Sequence, residues 1–186
     1  MRKRRQNRAF RSGGRTPVAT RRLRRSAVII FELIVSLPIL LIFLAAVVEF
    51  GVIFVGIKQV ALASRAGAKV AAEAGGLNTA MTSSVAMSAR DAADRQLETA
   101  GFGPDASAGL TLRHNVSGGG VSTQGNCADP TFPALPSALP TSGSGHVRVT
   151  VCIDVSKLAP DLLSMLGFSI AGFSVEETST YPHEGS

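Results

Sequence analysis

The chain has 186 residues and a formal net charge of +6, which is room for one modest domain plus a membrane segment. The charge is segregated: residues 1–25 hold eleven Arg or Lys and no acid, while residues 28–186 hold eight against thirteen Asp or Glu, a net charge of −5. A nucleic-acid-binding domain carries its basic residues on the folded face. That pattern is missing here and no aromatic ladder accompanies the basic arm, so nucleic acid is excluded as the expected partner.

In chain order, residues 1–25 come first, with Gly13, Gly14 and Pro17 among the Arg residues. This arm is too polar to bury a core and is expected to be a disordered cytoplasmic leader. It sets topology and attracts anionic lipid at about 1 kcal/mol per basic residue near the surface. Residues 26–57 follow as an apolar run whose only charges are Glu32 and Glu49. As a helix, residues 27–48 are long enough to cross ~30 Å of hydrocarbon. A basic flank stays in the cytoplasm, so the expected protein is a single-pass cytoplasmic-membrane protein whose residues 58–186 form an exported domain. Pro38 lies inside the span, removes the backbone bond to the Ile34 carbonyl, and is expected to kink or loosen the helix there. A carboxylate at the bilayer centre costs on the order of 2.5–3.5 kcal/mol on insertion scales. Glu32 and Glu49 fall near opposite boundaries, where snorkelling to the headgroups lowers that cost.

No stop signal follows residue 57. Good helix formers continue, so one helix is expected to run to about Ala74 and end at Gly75-Gly76. Its second half carries Ala63, Gly67, Ala71 and Gly75 at four-residue spacing, a ridge that lets another backbone approach closely. That neighbour is either the chain's own sheet or the helix of another subunit. Arg65, Lys69 and Glu73 form a polar stripe beside it. Asn78 or Thr79 caps a second helix to about Thr99, closed by Gly101, with Met81, Val85, Ala89, Ala92 and Leu97 as its apolar stripe.

Leu110, Leu112, His114 and Val116 predict a strand. Residues 117–145, rich in Gly, Ser and Pro, predict a long loop. The clearest strand follows: Val147, Val149, Val151, Ile153 and Val155 point one way, Arg148, Thr150, Cys152 and Asp154 the other. Residues 158–166 predict a short apolar helix opened near Pro160. Phe173, Val175, Glu177, Ser179 and Tyr181 predict a last, half-exposed strand. The fold class is α+β: a long N-terminal membrane helix continuing into a domain with a second helix and a small antiparallel sheet of about three strands. In an exported domain the two cysteines, Cys127 and Cys152, are expected to form a disulfide that pins the long loop.

Little in the sequence points to catalysis. The three histidines are scattered, with no metal-ligand spacing and no phosphate-binding glycine loop. Gly167-Phe168-Ser169-Ile170-Ala171 misses the nucleophile-elbow pattern, because Ala171 stands at the second glycine. No cofactor, metal or small-molecule substrate is expected. Ala61-Leu62-Ala63 fits a signal-peptidase site, but the preceding apolar run is far longer than the usual 7–15 residues and Glu49 interrupts it.

Glu32-Leu33-Ile34-Val35-Ser36-Leu37-Pro38, a run of aliphatics and then Glu49-Phe50-Gly51 together resemble the TadE-like proteins of bacterial tight-adherence (Flp) pilus systems. The motif covers residues 26–52. The resemblance implies a non-enzymatic, pilin-like fold and a pseudopilin subunit or assembly component of a Tad/Flp-type pilus or secretion system. It implies partners as well: the membrane, other pilus subunits packed through the N-terminal helix, and a prepilin peptidase. Carried over, Val28 becomes the first mature residue, Glu32 the fifth, and the cut falls after Ala27. Ala27 stands where the family usually has Gly, and Phe31 where it usually has Val. In related pilins the glutamate pairs with the mature N-terminal amine of a neighbour, so Glu32 is expected to neutralise a second charge within the membrane. The alternative is an unrelated single-pass protein whose exported domain binds a ligand or partner.

Overall fold

The structure, a computed structural model, describes residues 18–102, 108–127, 133–136 and 145–184, with side chains from residue 29 onward. Contacts divide the chain into two units, residues 1–43 and 44–186. Helix α1, Val18–Glu73, contributes to both and runs through Pro38 without a break.

The described part of the first unit is the beginning of α1. Its apolar side chains, among them Ile29, Phe31, Ile34, Leu40 and Phe43, are all exposed. Among the described residues α1 is the one helix long and apolar enough to cross a membrane. Its start at Val18 corrects the expectation of a disordered leader throughout residues 1–25: backbone 18–25 is helical. Arg and Leu are good helix formers, and extending an existing helix avoids the cost of a new nucleus. Residues 1–17 of the leader lie outside the described residues.

The second unit places α1 beside α2, Thr82–Thr99, and both against one sheet. The strands are β1 Gly109–His114, β2 Gly120–Gln124, β3 His146–Asp154 and β4 Ser174–Pro182, ordered β2-β1-β3-β4. Every neighbouring pair is antiparallel, with Leu112 opposite Val149 and Val149 opposite Ser179. The arrangement is α+β. Alternation explains the core: Leu110, Leu112, Val147, Val149, Val151 and Ile153 turn to the helices and are buried. Facing them are Val60, Ala63 and Ala71 of α1 and Val85, Ala86, Ala89, Ala93 and Leu97 of α2. Alanines let the two helices lie close together and to the sheet.

The opposite sheet face is a set of cross-strand polar pairs. Thr111 Oγ1 lies 3.1 Å from Thr123 Oγ1 and Thr150 Oγ1 lies 3.0 Å from Thr178 Oγ1. Arg148 Nε donates to Thr180 Oγ1 at 3.1 Å. Cys127 and Cys152 are bridged, their Cα atoms 5.4 Å apart.

The helix ends follow from specific residues. Gly76 turns the chain out of α1 with φ +66°, a conformation glycine adopts without steric cost. The last carbonyls of α1 are met from the other end of the chain: Glu184 N–H donates to the Ala72 carbonyl at 3.0 Å and His183 Nε2 to the Ala74 carbonyl at 2.9 Å. Asn78 acts before α2 rather than at its cap: its Oδ1 accepts the N–H groups of Ala80 and Met81 at 2.9 and 3.1 Å. Gly101, φ +90°, closes α2 as expected.

Four expectations are corrected. The loop over 117–145 contains strand β2, whose side chains carry no hydrophobic alternation because it is an edge strand and its single large apolar residue, Val121, is exposed. Val155 does not extend β3; it opens the four-residue helix α3, Val155–Leu158. No helix covers 158–166: after α3 the chain turns at Ala159 and Pro160 and forms only a 3-10 turn, Ser164–Leu166. On α2, Met81 is exposed and Ala92 half-buried, while Ala86 and Ala93 take their places in the core, since α2 meets both α1 and the sheet.

Candidate functional site

The residues singled out in the sequence lie mainly on α1. In the first unit, Glu32 and Pro38 lie on the apolar stretch, and Glu32 is exposed among exposed aliphatic and aromatic side chains. Ala27 and Val28, the residues flanking the expected cut, are helical in backbone and lack described side chains.

In the second unit, Glu49, Phe50 and Gly51 part ways. Phe50 is exposed, and a Cβ added at Gly51 meets nothing within 4 Å. Glu49 is 3% exposed. Its Oε2 accepts the backbone N–H of Leu163 at 3.0 Å. The reason is helical spacing. Glu49, Gly56, Val60, Ala63, Gly67 and Ala71 follow at intervals of seven, four, three, four and four residues, which places them on one face of α1. All six are buried. The ridge therefore starts well before Ala63, and the chain itself covers it.

The contacts along this ridge are tight. A Cβ at Gly56 lies 3.0 Å from Leu158 Cβ, and one at Gly67 lies 2.9 Å from the Ala89 carbonyl oxygen, with Val149 and Leu110 next. Of the two neighbours expected for the ridge, the structure supplies the chain's own α2 and sheet at Ala63, Gly67 and Ala71. Gly75 lies beyond the helix, exposed and with nothing near it. Arg65, Lys69 and Glu73 are exposed, with Lys69 Nζ 3.8 Å from Glu73 Oε1. Ala61-Leu62-Ala63 lies inside α1 with Ala63 fully buried.

The segment that holds Glu49 was missed as a functional element. Residues 159–173 carry one charge, Asp161, whose Oδ2 accepts from Ser169 Oγ at 2.6 Å. Ser169 Oγ also accepts the Ala171 N–H at 3.1 Å. Leu162, Met165, Leu166, Phe168 and Phe173 are exposed. The only sequence signal was the scarcity of charge, which reads equally well as a short core helix.

A second missed cluster surrounds His114, 3% exposed. Its Nδ1 lies 3.2 Å from the Val116 carbonyl and its Nε2 2.8 Å from Thr82 Oγ1. Nδ1–H donates to that carbonyl, while the one hydrogen of the Thr82 hydroxyl faces three acceptors, His114 Nε2 and the Asn78 and Thr79 carbonyls at 3.0 and 3.2 Å. Burial pushes the ring's pKa down, the Val116 carbonyl opposes this, and nearby His183 adds a smaller push down.

Beside the disulfide lies a cleft of about 400 Å³, lined by Arg90, Asn126, Asp154, Lys157 and Glu176 among others. Among the described residues no three His, Cys, Asp or Glu side chains are grouped to hold a metal ion.

Fold and site together define an α+β domain built on a helix that continues as a candidate membrane span. Comparison with protein families, with curated proteins and with solved structures finds no match to this chain.

Proposed function

We propose that this protein is a non-enzymatic, membrane-anchored, pilin-like component of a Tad/Flp-type pilus or secretion apparatus. One observation carries the reading: α1 bears an exposed apolar stretch with an acid near its start and also forms the ridge on which an antiparallel α+β domain packs. A pilin-type subunit needs both, a helix that enters the membrane or a helical bundle and a domain fixed to that helix.

The residues divide the work accordingly. Exposed Ile30, Phe31, Ile34, Leu41 and their neighbours offer an apolar surface to lipid or to the helices of other subunits. Glu32, exposed within that surface, needs a counter-charge once water is removed. The amine freed by a prepilin peptidase cutting after Ala27 is of the right charge, supplied at Val28 of a neighbouring subunit. Gly51 supports the same reading. Glycine in a helix costs about 0.5–1 kcal/mol relative to alanine, and among the described residues no contact requires it there. A close approach by a neighbouring helix does. With the basic leader in the cytoplasm, the α+β domain lies on the far side, where its disulfide persists.

The experiment is deletion in the native host, followed by complementation with the full chain and with its Glu32→Ala variant, scoring surface filaments and secreted cargo. The reading expects loss on deletion, rescue by the unaltered chain and failure of Glu32→Ala. Normal assembly in the deletion strain opposes it.

The cleft beside Cys152 favours a second reading, in which the domain of an unrelated single-pass protein binds a polar ligand. Tight binding of a small molecule or peptide, without any pilus defect on deletion, supports that alternative.

A further inference from the structure

Residues 159–173 are hard to explain as part of a water-exposed loop. Met165 is 96% exposed, Phe168 71% and Phe173 64%, with Leu162 and Leu166 close to half exposed. The one charge, Asp161, does not turn outward: its Oδ2 is bonded to Ser169 Oγ and its Oδ1 is buried. Such a concentration of exposed large apolar side chains marks a contact surface.

Its place on α1 says what the surface meets. The segment is fastened to the helix at two points, by Leu163 N–H on Glu49 Oε2 and by Leu158 against Gly56. Between those points the outward side chains of α1 are still apolar: Phe50, Val52, Phe54 and Val55 are exposed. The first basic residue after the apolar run is Lys58. About 20 helical residues cross the hydrocarbon. Counted from Ser26 they reach about Ala45; Glu49 then lies ~6 Å further along the helix, at the level of the far headgroups, and Gly56 ~16 Å further, beyond them. Within the second unit the loop therefore lies against the last apolar stretch of α1, beside exposed Phe50, Phe54 and Val55.

We infer that residues 159–173 form a second membrane contact, in which Met165, Leu166 and Phe168 enter the bilayer interface beside the helix and hold the α+β domain against the lipid surface. Burying apolar side chains at the headgroup–acyl boundary is favourable in proportion to their area. Glu49 ties the loop to the helix by one bond, so the loop meets the interface together with the neighbouring apolar face of α1. This rests on α1 spanning the membrane, which the experiment tests separately.

The chain has no tryptophan, so one introduced tryptophan reports its own surroundings. Full-length protein is reconstituted into phospholipid vesicles as Phe168→Trp, as Val121→Trp on edge strand β2, and as Phe43→Trp on α1. Quenching is read with lipid brominated near the headgroup, with lipid brominated near the chain end, and with aqueous iodide. The inference expects blue-shifted Phe168→Trp emission quenched by the headgroup-proximal lipid and little by iodide, with Val121→Trp showing the reverse. Quenching of Phe168→Trp by iodide alone, while Phe43→Trp responds to brominated lipid, overturns the loop contact and leaves the span standing. Blue-shifted Phe168→Trp emission that no brominated lipid quenches also overturns it and assigns the surface to a second copy of the chain. A Phe43→Trp insensitive to lipid overturns the span and the loop contact with it.

Discussion

Leu163 donates its backbone N–H to Glu49 Oε2 at 3.0 Å, across 114 residues of sequence. A carboxylate within the apolar run thereby fixes a loop of the domain. Glu49→Gln keeps an oxygen acceptor and is expected to preserve the contact. Glu49→Leu leaves a part-buried N–H unmet, at a cost of about 1–3 kcal/mol. Hydrogen exchange at the Leu163 amide in the reconstituted protein checks this: faster exchange in Glu49→Leu, near-normal exchange in Glu49→Gln.

The small-residue ridge separates into positions that need glycine and positions that do not. Gly67→Ala drives a Cβ to 2.9 Å from the Ala89 carbonyl oxygen, a backbone atom that cannot move without parting α1 from α2. The expected loss is about 1–3 kcal/mol. Gly75→Ala meets no atom of the described residues within 4 Å and is expected to stay within about 0.5 kcal/mol of the parent. Denaturant midpoints of the two variants make the comparison.

The disulfide closes a separation of 25 residues between Cys127 and Cys152. In the chain-entropy treatment this stabilises the fold by roughly 3–4 kcal/mol. The Cys127→Ser, Cys152→Ser double variant is expected to lose that amount in unfolding experiments. In protein taken from its native membranes, neither thiol reacts with an alkylating reagent until reductant is added.

His114 gives the fold a pH dependence of predictable sign. Burial lowers its folded-state pKa below the usual value of about 6.5, so the unfolded chain binds the proton more readily. The stabilisation is complete above about pH 6.5 and is lost as pH falls through the folded-state pKa. Unfolding midpoints are expected to fall on acidification below pH 6.5, and less steeply in a His114→Gln variant.

Much of the fold was legible because its elements carry strong periodic signals. The alternation of Val147, Val149, Val151 and Ile153 specified β3 and its buried face, and Gly75-Gly76 and Gly101 marked both helix ends. Edge strand β2 was not legible: an edge strand buries little, so its alternation of half-buried and exposed positions is not marked by apolar residues. The segment after β3 misled because its apolar run over 158–166 read as a short helix opened near Pro160, whereas Leu162, Leu163 and Leu166 face outward or half outward. The burial of Glu49 was hidden for a related reason. Its face is defined only by continuing the ridge of Ala63 and Gly67 backward, and its partner is a backbone amide that no residue type announces.

The central claim, a pilin-like subunit processed at its leader, is tested most directly by the N-terminal residue of the protein purified from its native membranes. The account predicts a mature chain beginning at Val28, with Glu32 as its fifth residue. An uncleaved chain that still carries the basic leader from Met1 would contradict it.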